Sequence, residues 1–345
     1  MADKVWRGGM IGAGAWSEIQ LTAWAGVESA EIVALCDRHP DRRDPLVNRF
    51  NIPQAFDDFE TMLDEAGLDF VDICTRSYSH AALTTLAAGR GLPVLCQKPF
   101  CASLEEAQEV VEFCHNAGVR LMINENFRWQ AWYRRTKELL DAGELGEPFL
   151  ASIHHRSRSS LPTFEHSQAY MKDMPRWAVY ELGVHYLDTF RFLFGEPEVL
   201  FCRLHRVSPD VRGEDVQLIT LGYKNLSCLI KHSFASVPIP GIDKPADTPV
   251  PPRMAHGLQI DGTRGTLTIN PDNSLHMFTD TEHEHWPFSQ NAVAKSHVAA
   301  QQHFIDCLES GAEFETSGVE TLKTMTLVYT AYRSAEEGRS IHLKP

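Results

Sequence analysis

Residues 6–17 read Trp6-Arg7-Gly8-Gly9-Met10-Ile11-Gly12-Ala13-Gly14-Ala15-Trp16-Ser17. A short apolar run turns through Gly12-x-Gly14 and continues into a segment that reads as a helix. A pyrophosphate can approach a helix N-terminus only where the backbone turns tightly and carries no bulk, which is what Gly12 and Gly14 allow. Ser17 stands where dinucleotide-binding turns carry their third glycine, and is small enough for close helix packing. The next apolar run, 31–36, leads into Asp37, 23 residues beyond Gly14. A carboxylate there suits the ribose hydroxyls of a dinucleotide. Strand, turn, helix, strand and acid together read as a dinucleotide-binding domain of the Rossmann type. The alternative is a glycine-rich turn in another kind of α/β domain. Gly12, Ala13, Gly14, Ala15, Trp16 and Ser17 would cradle the pyrophosphate. Asp37 repels a 2′-phosphate and favours NAD, whereas Arg38 could pair with that phosphate and keeps NADP open.

Outward from this turn, apolar runs at 6–11, 31–36, 70–75, 93–96 and 120–123 alternate with amphipathic stretches such as 104–115, where Ser103 and Glu106 form a capping box. Such alternation predicts a parallel sheet with crossover helices. Past residue 127 the runs at 149–156, 200–206, 217–223, 227–234, 256–261 and 266–270 are separated by turn signals. They predict a large, mostly antiparallel open sheet in an α+β domain. The expected division is 1–126 for the dinucleotide-binding domain and 127–345 for a substrate-binding and oligomerisation domain. A last helix, 319–337, ends at Gly338 and could pack back on the first domain. Residues 237–254 carry six prolines and read as an ordered arm or a variable surface loop.

The formal net charge of −14 argues against nucleic acid or an anionic membrane as the main partner. No run is long and apolar enough to span a bilayer, and the first residues lack a signal-peptide pattern, so a cytoplasmic location is expected. The eight cysteines form no C-x-x-C pair, and several sit in apolar runs, so they read as reduced core residues. His283-Glu284-His285 has the look of a metal site but no partner pattern, and no metal is expected.

Two further segments carry candidate chemistry. The run 93–97 ends in Lys98-Pro99, which places Lys98 at the carboxyl end of a parallel strand, where open α/β sheets bind ligands. It is either a group that holds a developing alkoxide or a solvated loop lysine. In 180–188 helical spacing puts Glu181, His185 and Asp188 on one face, with Leu182, Tyr186 and Leu187 free to pack. A carboxylate one turn from an imidazole orients it. The alternative is an ordinary acid–imidazole pair. Alternation along 154–158 puts His154, Arg156 and Arg158 on one face, either a basic strand suited to a substrate carboxylate or a solvated sheet face.

Gly12-x-Gly14, Thr75-x-x-x-x-His80 and Gln97-Lys98-Pro99 resemble the glucose–fructose oxidoreductase / inositol dehydrogenase (Gfo/Idh/MocA) family over nearly the whole chain. The family's usual step is Glu-Lys-Pro, so Gln97 is a departure. The resemblance implies cofactor contacts from Thr75, Arg76, Tyr78, His80, Gln97, Lys98 and Asn126, with Arg128 shaping the substrate site. It implies an Asp-x-x-x-His-x-x-Asp helix in which the histidine is the acid/base, here Glu181, His185 and Asp188. Where relatives often show glycines, this chain has Pro175-Arg176-Trp177, and Trp177 is expected to stack on substrate or nicotinamide. The implied activity is oxidation of a secondary hydroxyl of a sugar, polyol or sugar acid with NAD, catalysed by Lys98, His185 and Glu181. The substrate would be held by Lys98, Arg128, Arg156, Trp177, His185 and Asp188. The alternatives are transient use of tightly bound NAD in epimerisation, oxidoisomerisation or glycoside cleavage, and a non-catalytic NAD-dependent sugar sensor. A homodimer or homotetramer is expected, because the open sheet face needs a cover.

Overall fold

The computed structural model describes residues 4–157, 168–237, 255–270, 272–289 and 291–343. The chain divides into two units, each discontinuous in sequence. The first is Met1–Trp129 with Val293–Lys323, and the second is Gln130–Ala292 with Thr324–Pro345. A single cut at 126–127 has no way to express this, because the stretch 293–323 belongs with the N-terminal half.

The first unit runs β1 (Trp6–Ile11), α1 (Ala15–Trp24), β2 (Ala30–Cys36), α2 (Pro40–Phe50), β3 (Gln54–Phe56), α3 (Phe59–Glu65), β4 (Phe70–Ile73), α4 (Ser77–Ala88), β5 (Val94–Gln97), α5 (Leu104–Asn116) and β6 (Leu121–Asn124). The six strands are all parallel in the order β3-β2-β1-β4-β5-β6, a Rossmann sheet with its switch point between β1 and β4. Because both faces are covered, the strands are apolar almost throughout. Val71, Ile73, Val94, Cys96 and Ile123 pack on one face with residues of α3, α4 and α5. Phe70, Leu95 and Met122 pack on the other with Leu21 and Trp24 of α1 and Phe304 of a later helix.

The second unit contains α6 (Ala131–Asp141), β7 (Pro148–Arg156), α7 (Val184–Phe194), β8 (Val199–His205), β9 (Val216–Gly222), β10 (Ser227–Ser233), β11 (Ala255–Gly262), β12 (Thr266–Ile269), β13 (Leu275–Phe278), β14 (His283–Trp286) and β15 (Ile341–His342). Two long helices, α8 (Ala292–Ser310) and α9 (Gly318–Glu337), precede β15. The nine strands run β14-β13-β12-β11-β7-β10-β9-β8-β15, antiparallel except for β7 and β10. Alternate residues of this sheet are buried under helices. His155 of β7 meets the Tyr186 hydroxyl of α7, and Ser334 of α9 accepts from the Cys202 amide of β8 at 2.9 Å. The opposite face exposes Leu150, His154, Leu218, Lys231 and Phe278. The proline-rich stretch 238–254 and Arg158 lie outside the described residues. Among the described residues no helix is long and apolar enough to cross a membrane.

The segment 180–188 is not one uniform α-helix. Residues 178–183 form a π-helix, and α7 begins only at Val184, so the i, i+4 geometry expected between Glu181 and His185 straddles a change of helix type.

One buried carboxyl in the first unit ties stability to pH. Asp72 of β4 is fully buried among apolar neighbours and accepts from Trp24 Nε1 at 2.7 Å, and burial pushes its pKa up to about 7. The native state therefore holds this proton more tightly than the unfolded chain. Stability falls as pH rises from about 4 to about 7, and above that range the fold carries a buried charge. Asp72→Asn keeps an acceptor for Trp24 and removes the titration. Its melting temperature is expected to exceed the parent's by a few degrees, order of magnitude, at pH 8 and to match it near pH 4. Thermal denaturation across pH checks this, and a shift of equal size at every pH would contradict it.

Candidate active site

The β1–α1 turn is set by a steric limit. Gly12 has φ +105°, and a Cβ there would stand 2.1 Å from the Cys74 carbonyl oxygen at the end of β4. The Gly12 amide donates to Cys36 O at 2.8 Å, so the turn is pinned against both neighbouring strands. Ser17, fully buried, accepts from the Gly14 amide at 3.1 Å and reaches toward Cys74 O at 3.5 Å. This is why a small polar residue serves where a third glycine was expected. Gly14 and Ala15 are exposed, and the space a Gly14 Cβ would occupy is empty.

Asp37 follows β2, half-buried. Its Oδ2 accepts from the Ala13 amide at 2.8 Å and its Oδ1 from the His39 amide at 2.9 Å. The carboxylate is held by the turn it serves, and its remaining lone pairs can accept ribose hydroxyls. Arg38 is exposed, its Nε 3.3 Å from His39 Nε2. An open helix N-terminus above a side-chain-free turn, with an anchored carboxylate beside it, fits the pyrophosphate and ribose of NAD. Trp16 is half-buried and edge-on to His297 of α8, ring centroids 5.5 Å apart.

The other expected cofactor contacts separate into exposed and spent residues. Thr75, Arg76 and Tyr78 lie at the start of α4, with Arg76 and Tyr78 exposed and Thr75 Oγ1 2.8 Å from Ser79 Oγ. His80 corrects the sequence reading: it is fully buried, with Nδ1 2.9 Å from Phe100 O and Nε2 3.1 Å from Thr75 O. Both ring nitrogens are committed to backbone carbonyls. His80 therefore ties the β4–α4 turn to the turn after β5 and has no surface for a dinucleotide. Burial lowers its pKa, against the opposing pull of the carbonyls that face the ring.

Lys98 is half-buried at the carboxyl end of β5, and its peptide bond to Pro99 is cis. Gln97 is buried and in register with Asn124 of β6. Asn124 donates to Gln20 Oε1 at 2.8 Å, and Gln301 donates to the same oxygen at 2.8 Å. Asn126 is buried and donates to Ser296 Oγ at 3.0 Å. Arg128 is buried and donates to the Glu315 carbonyl at 3.0 Å, a packing role beside the substrate contact expected of it. Helix α8 was missed in the sequence, yet it supplies Ser296, His297 and Gln301 to this polar cluster. The signal was present as the apolar spacing Ala300, Phe304, Ile305 and Cys307.

In the second unit, His185 is buried in the first turn of α7, and Glu181 is half-buried in the π-helix before it. Three residues expected to contact substrate have protein partners here. Trp177 has no exposed surface and lies flat on Phe234, ring centroids 4.4 Å apart at 8°. Asp188 is buried, its Oδ1 accepting from Thr324 Oγ1 at 2.8 Å with Arg191 Nη1 at 3.7 Å, so it anchors α7. Arg156 lies on the face of β7 opposite His155, away from the helix layer that carries His185, and donates to Val237 O at 3.1 Å.

Residues 6–125 match a family model described as "Oxidoreductase family, NAD-binding Rossmann fold". Residues 133–268 match "GFO/IDH/MocA C-terminal domain". A D-apiose dehydrogenase of Rhizobium rhizogenes is 35% identical over 98% of this chain and 97% of its own length. A D-apiose dehydrogenase of Paraburkholderia graminis is 37% identical over 99% of this chain and 90% of its own. A crystal structure of an oxidoreductase from Agrobacterium radiobacter, in complex with NAD+, L-tartaric acid and magnesium, superposes with a TM-score of 0.89 at 35% identity, covering 98% of each chain.

The anchored Asp37 carboxylate yields a direct test. Asp37→Ala removes the acceptor of the Ala13 amide together with that of the ribose. It is expected to weaken NAD about 10-fold or more and to narrow the preference for NAD over NADP. Fluorescence titration with both reduced cofactors measures it, and unchanged affinity for NADH would rule out the assignment.

Proposed function

Because the chain belongs to the Gfo/Idh/MocA oxidoreductase family, we propose that it is an NAD-dependent dehydrogenase of an aldose of the D-apiose kind. The observation that carries the reading is the Gly12–Asp37 cradle, a built dinucleotide site in a chain whose full-length relatives are named for D-apiose oxidation. When bound, NAD supplies the hydride acceptor. His185 takes the proton of the reacting hydroxyl as the carbonyl forms, and Glu181, on the adjoining turn, receives or orients that proton. The Lys98 ammonium holds the negative charge that develops on the oxygen.

An aldose is put first because full-length relatives are named for D-apiose. The carboxylate-binding role expected of Arg156 has no support once that residue is found on the far face of β7. Net oxidation is preferred to transient use of the cofactor, since the relatives are named as dehydrogenases. Self-association through the open face of the nine-stranded sheet, as a homodimer or homotetramer, is supported by the apolar side chains it exposes, Leu150, Leu218 and Phe278. A cytoplasmic setting is supported by eight buried cysteines that form no disulfide.

The test is a screen of aldoses, D-apiose first, with NAD and NADP, read at the NADH absorbance band. Lys98→Ala and His185→Ala are each expected to lose about 10²–10⁴-fold in kcat while NADH affinity stays within about two-fold. Full turnover in either variant would sink the assignment of that residue.

A further inference from the structure

We propose that Glu214 is the positioning residue of the acid/base helix, the group that holds the π-turn from which His185 is presented. The inference rests on the role given to His185 above.

The first amides of a helix have no partner within it. At the start of the π-helix, Trp177, Ala178 and Val179 are all received by this one residue from outside the helix. The Glu214 carboxylate accepts from the Trp177 amide at 3.2 and 3.3 Å and from the Val179 amide at 3.1 Å. Its main-chain carbonyl accepts from the Ala178 amide at 3.1 Å. The Tyr332 hydroxyl of α9 donates to Glu214 Oε1 at 2.6 Å. Arg176, just before the turn, lies over the rings of Tyr329 and Tyr332, 5.2 Å from each centroid. The carboxylate is buried and its hydrogen-bonding capacity is largely used by the turn, so it is placed to act through the helix and not on substrate.

The turn is also held from β9. Gln217 Nε2 donates to Ala178 O at 3.0 Å and lies 2.7 Å from His232 Nδ1. Burial lowers the His232 pKa to about 3, so the ring is neutral and one of its nitrogens is free to accept. Gly183, the last residue of the π-helix, packs so closely that a Cβ would come within 2.5 Å of Gln217 Oε1. Glu214 thus holds the first amides of the six-residue turn, while Gln217 holds the Ala178 carbonyl and packs against Gly183.

A π-turn holds one more residue than an α-turn and is rare outside functional sites, so it persists only where its surroundings enforce it. Each residue of an α-helix turns the chain by about 100°. Relaxation of the 178–183 segment to α geometry would rotate everything that follows, and His185 is in the next turn. Glu214 thereby sets the direction in which the imidazole points.

The experiment compares Glu214→Ala, Glu214→Gln and His185→Ala in the full chain. It measures kcat, KM for the sugar, NADH affinity, melting temperature and the isotope effect of deuterating the reacting carbon. Glu214→Ala is expected to lower kcat by about 30–100-fold, the scale of a misplaced catalytic group, with sugar KM and NADH affinity within about three-fold and a larger isotope effect. Glu214→Gln keeps one acceptor oxygen and should fall between Ala and the parent. Parental kcat and isotope effect in folded Glu214→Ala would overturn the proposal, as would a loss matched by weakened NADH binding. Should Glu214→Ala not fold, Glu214→Gln decides by the same two measures. If His185→Ala loses turnover and the Glu214 variants do not, the positioning role fails and the acid/base assignment stands. If His185→Ala keeps turnover, both fall.

Discussion

The first unit depends on a clearance of one atom. At Gly12 the chain passes so close to the Cys74 carbonyl that only a hydrogen fits on the inner side of the Cα. That contact brings the β1–α1 turn against the end of β4, at the switch point of the parallel sheet. The neighbouring hydrogen bonds then take their places. Gly12 is fixed to β2, Ser17 braces the turn from below, and Asp37 grips the Ala13 amide. The result is a helix N-terminus cleared of side chains and an acid held a few ångströms away. Those two features suit a pyrophosphate and a ribose, and neither would be aligned if the turn were wider.

The second unit solves a different problem with similar means. Its helix layer must present a buried histidine in one direction. The turn before α7 is a π-helix, a geometry with little intrinsic stability, enforced by polar groups from outside. The aromatic packing of Trp177 on Phe234 and the Asp188–Arg191–Thr324 cluster fix the same helix from its two ends. Residues that read as substrate ligands in the sequence are the ones that build this support. Trp177 and Asp188 are chemically suited to sugar binding, but Trp177 lies flat on Phe234 and Asp188 accepts from Thr324.

His80 shows the same limit of one-dimensional reading. A histidine five residues beyond Thr75, after a Rossmann strand, has the spacing of a cofactor contact. Burial decides otherwise, since both of its nitrogens meet backbone carbonyls. Arg156 was assigned to the right alternation but could not be assigned to the right side. Period two says which residues share a face, and only the packing of α7 on His155 says which face is covered.

The sequence by itself determined the Rossmann sheet, its glycine turn, Asp37 and the position of Lys98 at a strand end, because these rest on local requirements. A tight turn needs glycine, a parallel strand buried on both faces needs an apolar run, and a strand end needs a breaker such as Pro99. It also determined the family, through motifs spread along the chain. Tertiary structure alone decided the return of 293–323 to the first unit, the π-turn before His185, and which polar residues are spent on support. Those outcomes depend on partners far away in sequence. Glu214 reaches Trp177 across 37 positions, and Asn126 reaches Ser296 across 170. No local period or spacing carries information about such a pair, because the contact exists only once the chain has folded.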